Sequence, residues 1–386
     1  MGKSYTPREM LARLISFDTV SAHTNKPMID FMADYLAGHG IATNVAPNDD
    51  GAKADIIATI GPMKAGGIVL SGHTDVVPVE GQAWKHDPFD MVERDGKLFG
   101  RGTCDMKGFL AVCLALVPEM TALDLKRPLH LVFSYDEEVG CLGAPALIAR
   151  MVRDIPLPQA AIIGEPTGMK LINANKGVAI FRTTVTGKPA HSSQTHAGVN
   201  AIQVAARCIT FLESQAARFA DEGHTDDRFM PPHATICVGA IEGGTALNII
   251  AGECSFVWDC RSLTPDDAEA AMSALVAHCE EKLIPAMQAI APEANIVTEK
   301  QISAPPLMAS DDNPAEALVR QLTGQNDAGV VAFATEAGLF QESGVPSVIC
   351  GPGSVDQAHQ PDEFLTVSQL QECTDFVRKI AHWAAG

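Results

Sequence analysis

No Cys-x-x-Cys pair occurs in the 386 residues, although ten cysteines are scattered along them. That argues against a disulfide framework and against a cysteine-built zinc site. The thiols read instead as small buried hydrophobes. Positive charge is scarce: 28 Lys and Arg against 47 Asp and Glu leave a formal charge of −19. This balance argues against nucleic acid or an anionic membrane as the main partner. Long apolar runs are missing too. Residues 109–117 form too short a run to span a bilayer. The stretch Met1-Gly2-Lys3-Ser4-Tyr5 has no apolar signal core, so a cytoplasmic location is expected. Repeats and low-complexity segments are absent as well.

What remains is an ordinary globular composition, 46% hydrophobic and 19% charged, in a chain long enough for about two domains. Thr6-Pro7-Arg8-Glu9 predicts a capped helix start. Apolar runs at 56–60, 68–70, 129–135, 160–164, 330–333 and 346–350 predict strands, with helices over 27–36, 109–120, 313–322 and 367–385 between them. Residues 84–98 read as a loop with a turn at Asp95-Gly96. Between 178 and 302 the order becomes β-α-β-β-α-β, the ferredoxin-like pattern, with Pro285 a possible kink in its second helix. The expected fold is α/β with two domains. A mostly parallel sheet covered on both faces is built from 1–177 and 303–386, and a compact domain over 178–302 is inserted into it.

Polar residues collect where the outer strands end. His73 and Asp75 follow the strand at 68–70, Glu137 and Glu138 follow 129–135, Glu165 follows 160–164, and His359 lies in the loop after 346–350. Asp105 opens the helix at 109–120. In open α/β sheets this edge is where ligands bind. Each residue also has an ordinary reading. His73 alone is a hydrogen-bonded histidine, Asp105 a helix N-cap, and the run Asp136-Glu137-Glu138 a surface turn. Together they suit zinc or cobalt better than magnesium, which prefers oxygen ligands and bound water. Counting His73, Asp105, one of Glu137 and Glu138, Glu165 and His359, five candidate ligands exceed what one tetrahedral zinc with an open position takes. They fit two metals sharing a carboxylate and a water, roughly 3.5–4 Å apart.

Ser71-Gly72-His73-Thr74-Asp75, Gly100-Arg101-Gly102-Thr103-Cys104-Asp105-Met106-Lys107-Gly108, Asp136-Glu137-Glu138, Gly164-Glu165-Pro166-Thr167 and the late His359 resemble, in order, the motifs of the M20 family of co-catalytic zinc aminoacylases and exopeptidases. Ala334-Thr335-Glu336-Ala337, Gly351-Pro352-Gly353-Ser354 and the stretch from Gln357 to Glu363 resemble its acetylornithine deacetylase branch. The resemblance implies that Asp105 bridges two metals, that His73 and Glu165 complete one site, and that Glu138 and His359 complete the other. It implies that Asp75 orients the His73 imidazole and that Glu137 is the general base. Spacing alone leaves open which of Glu137 and Glu138 is ligand and which is base. Lys188-Pro189-Ala190-His191-Ser192-Ser193 resembles the turn whose histidine reaches a partner subunit's site in relatives. The inserted domain is accordingly expected to act as lid and homodimer contact.

Asn248 and Arg261 resemble substrate contacts. Read without the family, His191 is a surface-loop histidine and Arg261 a solvated strand-end charge. Glu336 is expected either to cap the helix after it or to select a cationic substrate side chain. The implied activity is deacetylation of an N-acyl amino acid, N-acetyl-L-ornithine first, in arginine biosynthesis. A desuccinylase acting on succinyl-diaminopimelate or a dipeptidase is the alternative enzyme. A non-catalytic amino-acid-binding protein is the alternative of another class.

Overall fold

The computed structural model describes residues 3–386, so Met1 and Gly2 of the N-terminal stretch lie outside the described residues. The chain divides into two compact units. One gathers the chain up to Ala174 with Ala309–Val330 and Thr335–Gly386; the other holds Asn175–Met308 and Val331–Ala334. The short return Val331–Ala334 groups with the second unit, whereas the sequence assigns all of 303–386 to the outer domain.

The first unit is built on an eight-stranded sheet. Its order is Thr43–Pro47, Ala54–Ile60, Leu129–Ser134, Ile68–His73, Ala160–Pro166, Ser347–Gly351, Ile172–Asn175 and Gly329–Val331. The four central strands, Leu129–Ser134 through Ser347–Gly351, run parallel. Their neighbours Ala54–Ile60 and Ile172–Asn175 run antiparallel to them. The central strands are continuous apolar runs without alternation, and every residue in them is buried. That is the pattern of strands covered on both faces.

The helix Lys107–Ala115 is buried at every position. Two glycines let it lie against the sheet. A Cβ on Gly164 would sit 2.0 Å from Cγ of Phe109, and one on Gly72 would sit 2.4 Å from Cε of Met106. A larger residue at position 164 would have to displace the Phe109 ring, whereas at position 72 the ends of the Met106 and Leu110 side chains would have to give.

The predicted capping box is present: the Thr6 side chain accepts from the Glu9 backbone, and the Glu9 side chain returns to the Thr6 N–H. The helix Val367–Ala385 buries Leu370, Cys373, Phe376, Val377 and Ile380 on one stripe. The loop expected at 84–98 contains two short strands, Val92–Arg94 and Lys97–Phe99, joined at Asp95 and Gly96, both at positive φ. Phe364–Thr366 adds a third strand to them. Short strands with polar flanks carry too little period-2 signal to be read from sequence.

The second unit runs Gly177–Thr186, Ala201–Glu222, Thr235–Gly243, Glu253–Ser262, Asp267–His278 and Asn295–Ala304, which is β-α-β-β-α-β. Its antiparallel sheet has the order Thr235–Gly243, Glu253–Ser262, Gly177–Thr186, Asn295–Ala304. Burial alternates along the two inner strands, so one face packs on the helices. The predicted kink is a single π-turn, Cys279–Leu283, after which Pro285 opens a new helical stretch. In that first turn its missing N–H leaves no helix bond broken. Among the described residues no helix is long and apolar enough to cross a membrane.

Candidate metal centre

Because the four central strands are parallel, their C-terminal ends lie side by side. Leu129–Ser134 leads into Glu137 and Glu138, Ile68–His73 ends on His73, Ala160–Pro166 carries Glu165, and Ser347–Gly351 leads into the loop of His359. The helix start at Met106 brings Asp105 over them. Two sets of three follow, each with one ligand atom per residue within 4.8 Å of the others: His73, Asp105 and Glu165, and Asp105, Glu138 and His359. Asp105 belongs to both.

The local geometry suits cations. His73 Nδ1 lies 2.9 Å from the backbone carbonyl of Asp75. A carbonyl only accepts, so Nδ1 carries the proton and Nε2 faces the acids. That Nε2 is 3.1 Å from Asp105 Oδ1 and 3.9 Å from Glu165 Oε1. His359 Nε2 is 3.3 Å from Asp105 Oδ2 and 3.0 Å from Glu138 Oε2. Ligand atoms held tetrahedrally at zinc bond lengths lie about 3.3 Å apart. Oε1 of Glu138 and Oε1 of Glu165 are buried without a hydrogen-bond partner. Buried carboxylates so placed are costly unless a cation faces them. The residues present therefore fit two divalent ions.

The electrostatics agree. Burial, followed by the Asp105 charge, pushes Glu138 up to about 7 and Glu165 well above its ordinary value. Burial and the neighbouring Glu165 likewise push Glu137 well up. Burial works to raise Asp105, but His359 and His73 hold it low. Burial alone would push His73 down, but Asp105 and Asp75 hold it well above its ordinary value. Hydrogen bonds to Asp105 and Glu138 raise His359 to about 10.

The adjacent acids separate in space. Asp136 pairs with Lys53. Glu138 joins Asp105 and His359, whereas Glu137 joins neither set and has the Cys141 thiol 3.5 Å from its Oε1. Asp75 departs from the expectation. Its carboxylate is 3.6 Å from His73 Nδ1, too long for a hydrogen bond, and its backbone carbonyl orients the imidazole instead. The carboxylate accepts from the Glu137 N–H at 3.1 Å, the Glu138 N–H at 3.3 Å and the Ser21 hydroxyl at 2.7 Å. Asp75 thus fixes the backbone of the two acids.

Glu336 also departs from expectation. Its side chain makes no capping bond at the start of Ala337–Glu342. It is 1% exposed, accepts from the Ser134 hydroxyl, and burial pushes it up to about 7. An open carboxylate awaiting a cationic substrate is not what this position presents. Asp105 is likewise no N-cap, since Met106 occupies that position.

The other predicted residues lie in the second unit. His191 is exposed, with Nδ1 2.8 Å from Ser193 Oγ. Asn248 is beside it: the Ser192 N–H donates to the Asn248 carbonyl at 2.9 Å, and His191 bridges to Ile249. Arg261 stands apart on Glu253–Ser262, 3.5 Å from Asp259. Sequence reasoning missed Glu363, which is 1% exposed and bonded to the Asp105 backbone, and Lys107, which is fully buried and donates to the carbonyls of Leu14 and Phe17.

Comparison with known proteins follows the same lines. The profile of peptidase family M20/M25/M40 matches residues 69–383. An acetylornithine deacetylase from Pasteurella multocida (strain Pm70) is 32% identical over 380 residues, 96% of each chain. One from Myxococcus xanthus is 33% identical over 386 residues, 98% of each chain. The fold matches a metallo-carboxypeptidase of the M20 family from Sulfolobus solfataricus with a TM-score of 0.75 at 16% identity, covering 99% of both chains. It also matches a dinuclear metal-binding M20 peptidase from Bacillus subtilis with a TM-score of 0.63 at 15% identity, covering 97% of this chain and 96% of the other.

Proposed function

Because the chain belongs to peptidase family M20/M25/M40, we propose that it hydrolyses the amide of a small N-acyl amino acid. N-acetyl-L-ornithine is the first candidate, cleaved to L-ornithine and acetate in arginine biosynthesis. The observation that carries this reading is the pair of three-residue sets sharing Asp105, with Glu137 outside both. Support for the acyl amino acid comes from relatives named acetylornithine deacetylase that align over nearly the whole chain.

In this reading Asp105 would be shared by two ions. His73 and Glu165 would complete one set of ligands, and Glu138 and His359 the other. The mixed imidazole and carboxylate donors favour zinc, with cobalt a competent substitute. The chemistry such ions would supply is Lewis acidity toward the acyl carbonyl and toward the attacking water, whose pKa would fall toward ~7. Glu137, free of either set, takes the proton of the attacking water and hands it to the leaving amine. Asp75 sets the backbone from which Glu137 and Glu138 project. His191 donates to the oxygen where negative charge builds, reaching it from a second copy of the chain, and Asn248 and Arg261 contact the substrate.

The second copy pairs through the inserted unit. Thr235–Gly243 is the outermost strand of its sheet, and Ile241 on it and Leu247 beyond it are exposed. An edge strand of this kind is a template for pairing. The acidic charge fits a small-molecule substrate with neither nucleic acid nor membrane as partner. Ten cysteines with no disulfide fit a cytoplasmic enzyme.

The test is a screen of zinc- and cobalt-loaded enzyme against N-acetyl-L-ornithine, succinyl-diaminopimelate and dipeptides. Turnover highest on acetylornithine supports the reading. Preference for either other class reassigns the substrate. No turnover with both ions bound leaves a binding protein.

A further inference from the structure

Resting on the two-ion reading above, we infer that Glu363 is a positioning residue that ties the loop of Asp105 to the loop of His359. The Glu363 carboxylate is buried and collects four donors from one short stretch. Oε1 accepts from the N–H of Cys104 at 2.9 Å and of Asp105 at 3.1 Å. Oε2 accepts from the N–H of Gly102 at 2.9 Å and from Arg101 Nη1 at 2.8 Å. The backbone is in register as well. The Gly100 N–H donates to the Glu363 carbonyl at 3.0 Å, and Phe364–Thr366 pairs with Lys97–Phe99. Asp105 therefore does not hang from a free loop; its own amide is bonded to a buried carboxylate four residues after His359.

The other arm runs through Arg101, which is 1% exposed. Its Nη2 donates to Gln82 Oε1, which also accepts from the indole N–H of Trp84 at 3.0 Å. Gln82 Nε2 donates to the backbone carbonyl of His359 at 2.9 Å, and Arg101 Nη1 reaches the carbonyl of Gln360 at 3.4 Å. His359 needs such support. Its φ is 63°, a left-handed conformation that a residue with a Cβ holds only at a cost, and its side chain is 53% exposed. His73 and Glu165 are set by strands of the sheet. The backbone of His359 lies in a loop, and this network bonds it to the loop of Asp105, beside the direct contact of its Nε2 with Asp105 Oδ2. The charged pair Arg101–Glu363 is buried with its hydrogen bonds largely filled, so deleting one partner strands the other.

The experiment is a titration of metal-free protein with cobalt(II), read by calorimetry and by the visible absorption of the bound ion, in wild type, Glu363→Gln and Gln82→Ala. Wild type is expected to take two equivalents. Glu363→Gln keeps the size but faces an amide NH₂ toward backbone donors, and should weaken at least one ion by roughly 10- to 100-fold, the usual range for groups that orient ligands. Gln82→Ala leaves the Asp105 amide bonded to Glu363, removes the bond to the His359 carbonyl, and takes an acceptor from Arg101 and Trp84. It should weaken one ion by roughly tenfold and change the absorption of that ion alone. If Glu363→Gln does not fold, Gln82→Ala decides. Variants that melt earlier yet bind both ions with wild-type affinity would make the network merely structural and overturn the inference. A wild type that takes up no cobalt instead defeats the two-ion reading on which it rests.

Discussion

Replacing Asp75 with asparagine keeps the shape and removes the charge. One carboxylate oxygen accepts the Glu137 N–H, and the other accepts the Glu138 N–H and the Ser21 hydroxyl. Asparagine offers one oxygen and one NH₂. Whichever way it turns, the NH₂ faces a backbone N–H and leaves that buried donor unpaired, at a cost of about 1–3 kcal/mol. If the same energy is lost from holding Glu137 in place, kcat falls by roughly 5- to 150-fold. The orientation of His73 survives, because its partner is the Asp75 backbone carbonyl. Urea unfolding should therefore show lower stability, steady-state assays a lower kcat, and zinc titration an unchanged affinity on the His73 side. Loss of the ion on the His73 side, with the fall in kcat restored by excess zinc, would refute this. That outcome would return the carboxylate to the role of orienting the imidazole.

Glu137→Gln should retain both ions and lose roughly 10²–10⁴-fold in kcat, since an amide cannot take the water's proton, while Glu138→Gln should release the ion on the His359 side; metal analysis of both variants checks this, and the reverse pattern exchanges their roles. In the metal-free protein Glu138, raised to about 7 by burial and the Asp105 charge, and His359, raised to about 10 by Asp105 and Glu138, both carry protons at pH 6. An incoming ion must displace them, so zinc affinity on that side should fall with decreasing pH, by about tenfold per unit for each proton released; a flat titration between pH 6 and 8 contradicts it. Glu336→Gln should alter kcat/KM equally for N-acetyl-ornithine and N-acetyl-methionine, because the carboxyl is buried against Ser134; a loss confined to acetylornithine would restore it as a selector of the cationic side chain.

The metal-facing residues were legible because each sits at the end of an unbroken apolar run or at the start of a buried helix, and parallel strands bring such ends together. His73, the pair Glu137 and Glu138, Glu165 and His359 collect at that edge by position alone, whereas their assignment as metal ligands comes from the family resemblance. The division between Glu137 and Glu138 was not legible, since adjacent residues share every spacing; it emerges only when Asp75 is seen to hold both amides and Glu138 to meet His359. The role of Glu363 was not legible because its donors, Arg101 to Asp105, lie some 260 residues earlier, and no periodic pattern links such distant loops. The burial of Lys107 was not legible either, since a lysine at a helix start is ordinarily solvated. Its burial follows from two carbonyls, of Leu14 and Phe17, that need a donor. The β-α-β-β-α-β unit was readable because its inner strands alternate cleanly and its first helix carries a one-sided apolar stripe.

The most direct measurement is anomalous scattering at the zinc edge from crystals of the zinc-loaded protein. Two peaks are predicted, one bounded by His73 and Glu165, the other by Glu138 and His359, with Asp105 touching both and Glu137 touching neither. A single peak, or an ion ligated by Glu137, would contradict the account.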